Sequence, residues 1–258
     1  MKKGLLVVSF GSSYAEARTN DIAPLEKAVA AVYPDHEMRI AYGSKMIIRK
    51  LKTKDGIQID TVEEALHRMI ADEFTDIVVQ PTYMICGYEY EWMADAIKAV
   101  KDKFSSVKMG MPLLTDHEDY EALTRGLIDE FSLGEKQALV LMGHGTNHPA
   151  NSSYPALNFT FKTMGADKLF LGTVEGYPDI DLIKEMLRGT GTEEVIMTPL
   201  MMVAGDHANN DMAGDDEDSW NCQLTKEGYK VSCVIKGLGS YPFVQEMIAQ
   251  HAADAKEL

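Results

Sequence analysis

Two stretches of this chain recur in the same order in its second half, and that repeat limits its fold more than any other feature. Val7-Val8-Ser9-Phe10-Gly11-Ser12-Ser13 matches Val140-Leu141-Met142-Gly143-His144-Gly145-Thr146, an apolar strand running into a glycine turn with small hydroxyl residues. Later, Ile77-Val78-Val79-Gln80-Pro81 matches Val195-Ile196-Met197-Thr198-Pro199, and in both copies a glycine follows six residues after the proline, at Gly87 and Gly205. Aligning Gly11 with Gly145 sets Phe10 opposite His144, and the second match sets Glu89 opposite His207.

Between the repeated strands, short apolar runs alternate with segments of helical period, which is the pattern of an α/β protein with parallel sheets. Strands are predicted near 3–9, 37–42, 75–80, 107–110, 137–142, 168–172, 193–198 and 231–235. Helices are predicted near 22–32, 44–53, 62–73, 88–104, 117–132, 152–163, 179–188, 210–226 and 241–255. Thr61-Val-Glu-Glu64 and Thr115-Asp-His-Glu118 fit the capping box that opens a helix, and Pro178 suits a first helical turn. The expectation is two similar α/β domains, 1–113 and 114–258, each with a parallel sheet flanked by helices. The helix near 117–132 joins them, and the second carries the chemistry. The C-terminal ends of parallel strands bind ligands, so both sets of strand ends are expected to face a shared cleft.

Composition removes several classes. The formal charge of −15 offers no basic patch for nucleic acid or an anionic membrane surface. No stretch approaches the ~20 apolar residues of a membrane span. Lys2-Lys3 followed by Leu5-Leu6-Val7-Val8 superficially imitates a signal peptide, but its apolar run falls short of the roughly 7–15 residues such a segment needs. Cys86, Cys222 and Cys233 form no CxxC pattern and read as reduced thiols, so a cytoplasmic protein is expected. The sequence leaves a homo-oligomer open. Gly11-Ser-Ser is not a phosphate loop, and no G-x-S-x-G or H-E-x-x-H is present.

Three polar residues stand just past predicted strands of the second half: His144, Glu175 and His207. Two imidazoles and a carboxylate at strand ends suit a borderline divalent ion, and an imidazole also accepts protons near neutral pH. A single histidine there more often bonds a strand-end backbone group; three converging positions favour a site. His148 is a weaker candidate, on a loop between Gly145 and Pro149. His36, His67, His117 and His251 read as surface residues. The segment from Asp206 to Asp218 holds six carboxylates and lacks the spacing of an EF-hand. Asp206 and Asp211 lie nearest His207, as second partners to the ligands. Tyr83, Met84, Tyr88, Tyr90 and Trp92, with Leu200, Met201 and Met202, would form an apolar wall if they face a cleft rather than the core.

Leu141-Met-Gly-His-Gly-Thr-Asn-His148, Thr173-Val-Glu-Gly-Tyr-Pro178 and Pro199-Leu-Met-Met-Val-Ala-Gly-Asp-His-Ala-Asn-Asn-Asp-Met212 closely resemble the anaerobic cobaltochelatases among the class II chelatases. Val8-Ser-Phe-Gly-Ser12 and Pro81-Thr-Tyr-Met-Ile-Cys-Gly-Tyr-Glu89 resemble that family's N-terminal half. The resemblance spans essentially the whole chain. It implies a ferrochelatase-like fold and a lyase that inserts Co2+ into sirohydrochlorin, or its reduced precursor precorrin-2, in anaerobic cobalamin biosynthesis. It carries the metal ligands and catalytic roles onto His144, Glu175 and His207 and sets Glu89 facing the same cleft; Phe10, Ser12, Tyr83, Met84 and Glu89 are the expected substrate contacts. No organic cofactor is expected; the partners are a tetrapyrrole and a divalent ion, Co2+ first, with Fe2+ and Ni2+ as alternatives. The substrate's carboxylates call for local cations, for which Arg18, Lys45 and Arg49 are candidates. A ferrochelatase serving siroheme, a non-catalytic metal or tetrapyrrole carrier, and a zinc-type hydrolase remain rival readings of the same trio.

Overall fold

The first apolar run becomes β1 (Lys3–Ser9), whose last six residues are all buried, as a strand covered on both faces must be. The structure, a computed structural model, describes residues 2–258. After β1 come a short helix α1 (Ala15–Ala17), a π turn at Arg18–Ile22 and α2 (Ala23–Val32). Then follow β2 (Glu37–Tyr42), α3 (Lys45–Asp55), α4 (Val62–Ala71), β3 (Asp76–Pro81), α5 (Tyr88–Val100) and β4 (Ser106–Met109). Their strands pair in the order β2-β1-β3-β4, all parallel. Leu6, Val8 and Val79 from the sheet pack with Leu66 and Met69 of α4 and with Met93 and Ile97 of α5. Each such side chain taken from water contributes about 1.5–3 kcal/mol. Thr61 and Glu64 form the expected capping box at the start of α4.

The next stretch begins with α6 (His117–Glu130), followed by β5 (Gln137–Gly143), α7 (Ser153–Thr163), β6 (Leu169–Thr173) and α8 (Ile180–Leu187). It continues with β7 (Glu194–Leu200), a π turn at Ala208–Met212, α9 (Trp220–Lys226) and β8 (Lys230–Cys233). Its four parallel strands lie in the order β6-β5-β7-β8, the same pattern as the first sheet. Register reproduces the sequence repeat: Val8 lies beside Pro81 in one sheet, and Met142 lies beside Pro199 in the other.

Several expectations need correction. The cap of α6 is Asp116, which exchanges hydrogen bonds with Asp119; the box sits one residue later than Thr115-Glu118. Pro178 precedes the cap Asp179, and its carbonyl accepts from both the amide and hydroxyl of Thr173. The single helix predicted over 210–226 is two pieces, because the mutually repelling carboxylates Asp215–Asp218 occupy bends and turns between Met212 and Trp220. The largest difference is at the C-terminus. Beyond β8 the chain forms α10 (Pro242–Ala253) and β9 (Lys256–Glu257). There α10 packs on α2, β9 pairs antiparallel with β4, and the Tyr33 hydroxyl donates to the Ala252 carbonyl at 2.6 Å. The compact units are therefore the chain up to Thr115 together with Gly239–Leu258, and Asp116–Leu238, rather than 1–113 and 114–258. An amphipathic helix shows its apolar face in sequence but not which sheet that face will cover.

Candidate metal centre

In the second unit, β5 and β7 are neighbours, while the chain visits β6 on the far side of β5 between them. The strand order therefore reverses direction at the β5/β7 junction, and such a switch point leaves an open crevice at the strand ends. His144 follows β5, His207 lies beyond β7, and Glu175 follows the adjoining strand β6.

The local fold fixes each side chain. Gly145 takes φ +81°, and a Cβ there would stand 2.6 Å from the Gly176 nitrogen and 3.0 Å from the Glu175 carbonyl carbon. The left-handed turn and the tight backbone contact both require glycine. The Glu175 amide donates to the His144 carbonyl at 2.8 Å, so the two ligand loops are joined directly. Asn151 ties them again, accepting from the Thr146 amide at 3.0 Å and donating to the Tyr177 carbonyl at 2.7 Å. His207 opens the π turn, whose wider winding brings Asp211 within 2.8 Å of its Nδ1.

One donor atom from each of His144, Glu175 and His207 lies within 4.8 Å of the others, close enough to converge on one ion after small side-chain rotations. The two imidazoles stand edge to face, with centroids 4.7 Å apart at 90°. All three side chains are open to solvent, at 44%, 57% and 31% exposure in chain order. The hydrogen bonds fix the tautomers. A carbonyl can only accept, so His144 Nδ1 carries the proton and donates to the Gly145 oxygen at 2.8 Å. His207 Nδ1 likewise donates to the Asp211 carboxylate. With Nδ1 so engaged, the neutral form of each ring presents its Nε2 lone pair to a ligand, and a carboxylate behind an imidazole makes it a better donor.

A profile of the cobalt chelatase (CbiK) family matches residues 3–257. The chain belongs to the cobalt chelatase family. It is 39% identical over 256 residues to the sirohydrochlorin cobaltochelatase of Salmonella typhimurium, covering 99% of this chain and 97% of that protein. It is 31% identical over 258 residues to the sirohydrochlorin cobaltochelatase CbiKC of Nitratidesulfovibrio vulgaris, covering 98% and 90%. Among solved structures, SirB from Bacillus subtilis with Fe3+ superposes with TM-score 0.65 at 16% identity, over 97% of this chain and 94% of that one. CbiX, described as the terminal enzyme of siroheme biosynthesis in denitrifying bacteria, gives 0.56 at 17%, over 96% and 97%. At such identities these two structures establish the chelatase fold.

The substrate-contact candidates of this cobalt chelatase all fall in its first unit, beyond strand ends that correspond in strand order to those carrying the candidate trio. Phe10 is 40% exposed, and Met84 and Glu89 are half-buried. Ser12 and Tyr83 are buried, which leaves them little surface to offer a substrate. Ser12 Oγ accepts from the Tyr14 amide, and the Tyr83 hydroxyl has no partner. Of the expected apolar wall, Leu200 and Met202 are also core residues, whereas Tyr88 and Trp92 are exposed and stacked at 5.8 Å. His148 serves as a cap, its Nδ1 accepting from the Ala150 amide, and lies outside the trio. Arg18 is engaged with the Ser12 carbonyl and Asp55, while Lys45 is 74% exposed beside Glu63. Asn151 was not anticipated: no spacing in its loop marks it, and its role appears only when both ligand loops are seen together.

Proposed function

We propose that this cobalt chelatase inserts Co2+ into sirohydrochlorin, with His144, Glu175 and His207 as the groups that receive the ion. The observation that carries this reading is the convergence of those three donors at the switch point of the second sheet, in a chain 39% identical to a sirohydrochlorin cobaltochelatase. Two neutral imidazoles and one carboxylate bind a divalent ion firmly enough to strip part of its water, yet leave positions open for incoming pyrrole nitrogens. Insertion exchanges ligands: the macrocycle's nitrogens replace the protein's, and two pyrrole protons leave as M2+ enters. An imidazole freed of the metal has a basic Nε2 ready for one such proton, and Glu175 is a second acceptor. The reaction needs no electron carrier and no organic cofactor. Among the described residues no helix is long and apolar enough to cross a membrane, and the three free cysteines suit a reducing cytoplasm.

Anaerobic incubation of sirohydrochlorin with Co2+ and sub-stoichiometric protein, followed by absorbance, tests this. Expected are many turnovers per protein, with Fe2+ and Ni2+ as comparison arms for the metal, and strong loss in His144→Ala and His207→Ala. Absence of acceleration with every metal would refute the activity. Undiminished insertion in both alanine variants would refute the site.

A further inference from the structure

The shared strand order gives every strand-end position in one unit a counterpart in the other. Ser9 lies beside Tyr42 as Gly143 lies beside Thr173, and the Ser44 amide donates to the Phe10 carbonyl as the Glu175 amide donates to that of His144. On the other flank the Gly110 amide donates to the Val79 carbonyl as Val234 donates to Met197. By this correspondence the metal trio His144, Glu175 and His207 stands where the first unit has Phe10, Ser44 and Glu89. All three ligand positions therefore differ in chemistry between the units.

Two flanking positions do not. Met46 follows Ser44 by two residues, and Tyr177 follows Glu175 by two. Met111 lies two residues beyond the end of β4, and Ile235 two beyond the end of β8. All four are large and apolar, and all are exposed: Met46 70%, Tyr177 59%, Met111 38% and Ile235 47%. A lone exposed apolar side chain carries no information. Here ten large hydrophobics are exposed among the described residues, and four of them form two matched pairs at strand ends. A feature kept in both units while the ligands between them diverged serves something the ligands do not.

The arrangement in the second unit suggests what that is. His144 and His207 follow the two inner strands, and Tyr177 and Ile235 follow the two outer ones, with neighbouring strands about 4.8 Å apart. A flat conjugated ring centred on the trio would extend over both flanks. A tyrosine ring and an aliphatic side chain both contact such a face well. The Tyr177 backbone is already held by Asn151, so binding has only the side chain left to order there.

We propose that Tyr177 and Ile235 bind the macrocycle on either side of the metal trio, and that Met46 and Met111 form the corresponding apolar surface of the first unit. This rests on the chelatase reading, and it assigns ring recognition to residues separate from those that bind the ion. The test uses the full chain and three measurements: Co2+ titration without tetrapyrrole, sirohydrochlorin binding without metal by absorbance, and steady-state insertion. Tyr177→Ala and Ile235→Ala should each raise the sirohydrochlorin Kd and KM about 5- to 10-fold. Co2+ affinity, the melting midpoint and kcat at saturating sirohydrochlorin should stay at parent values, and Tyr177→Phe should restore binding. Phe159→Ala removes a side chain that is 68% exposed but has no matched partner, and should leave sirohydrochlorin binding unchanged. Parent-like sirohydrochlorin binding in both alanine variants would overturn the assignment while leaving the chelatase reading intact. Loss of Co2+ binding in step with sirohydrochlorin binding, or a change in molecular mass by light scattering, would also overturn it. A parent protein that neither binds nor metallates sirohydrochlorin would end both.

Discussion

Gly145→Ala should damage the metal centre out of proportion to the fold. A non-glycine residue at φ +81° costs about 1–2 kcal/mol for the left-handed backbone alone. The new Cβ would also stand 2.6 Å from the Gly176 nitrogen, 2.9 Å from Thr173 Cβ and 3.0 Å from the Glu175 carbonyl carbon. Two of those three atoms are backbone and cannot rotate aside. Restoring a normal separation of about 3.5 Å requires the segment at Glu175 and Gly176 to move by roughly 0.9 Å. Metal–ligand distances tolerate only about 0.2 Å. The Glu175 carboxylate would leave the reach of His144 and His207 while the sheet beneath stayed in place. Expected is a stability loss of about 2–4 kcal/mol in all, with a Co2+ affinity lower by about 10- to 100-fold. The control is Gly165→Ala, where φ is +73° and nothing lies within 4 Å of the added Cβ. It should show the backbone cost alone, with Co2+ affinity unchanged. Calorimetric Co2+ titration and thermal unfolding by circular dichroism measure both quantities. If Gly145→Ala binds Co2+ as tightly as Gly165→Ala does, the close packing of the two ligand loops does not set the site.

Asp211→Ala should weaken Co2+ binding by about 10- to 100-fold, and Asp211→Asn by less, because an amide oxygen still accepts the His207 Nδ1–H; titration of the three proteins orders them. Asn151→Ala removes its two hydrogen bonds across the loops, leaving the Glu175–His144 backbone bond, and should lower Co2+ affinity while leaving the far-UV spectrum unchanged. Tyr83→Phe deletes a buried hydroxyl that has no partner, so its melting midpoint should equal or exceed that of the parent. Burial pushes the Tyr42 phenol up to about 12, with Glu26 adding to the shift and Arg18 opposing it. Burial also raises Tyr83, helped by Glu89. A folded-state pKa above the unfolded value of about 10 means that stability is full below pH ~10 and is lost as pH climbs toward 12. The melting midpoint should therefore fall between about pH 10 and pH 12, and Tyr42→Phe should reduce that fall; an equal fall in both proteins would assign the alkaline loss to other groups.

Much of this protein was legible from local pattern. Six consecutive buried residues in β1 and the matching run in β5 announce parallel strands, because strand burial on both faces leaves a continuous apolar signature. The repeat at Gly11 and Gly145 survives in the structure as two left-handed turns, with φ +95° and +81°. His144, Glu175 and His207 stood out as polar residues at strand ends, and the family resemblance named the same three. Local pattern failed where partners were distant or competing. The acidic run Asp215–Asp218 falls inside the helix predicted over 210–226, yet it occupies solvated bends and turns. Nothing in α10 tells whether it covers the second sheet or returns to α2.

What the sequence determines by itself, then, is the kind of each element and the residues that end it, since both follow from periodicity and turn chemistry within a few neighbours. The tertiary structure alone decides which strand ends meet. Placing β7 beside β5 rather than beside β6 brings His207 to His144 and opens the crevice between them. The pairing of β6 with β5 draws Asn151 across two loops, and the whole order sets Tyr177 and Ile235 on the outer flanks. Those relations depend on strand order, which results from burying whole faces against one another and so has no local signature in the chain.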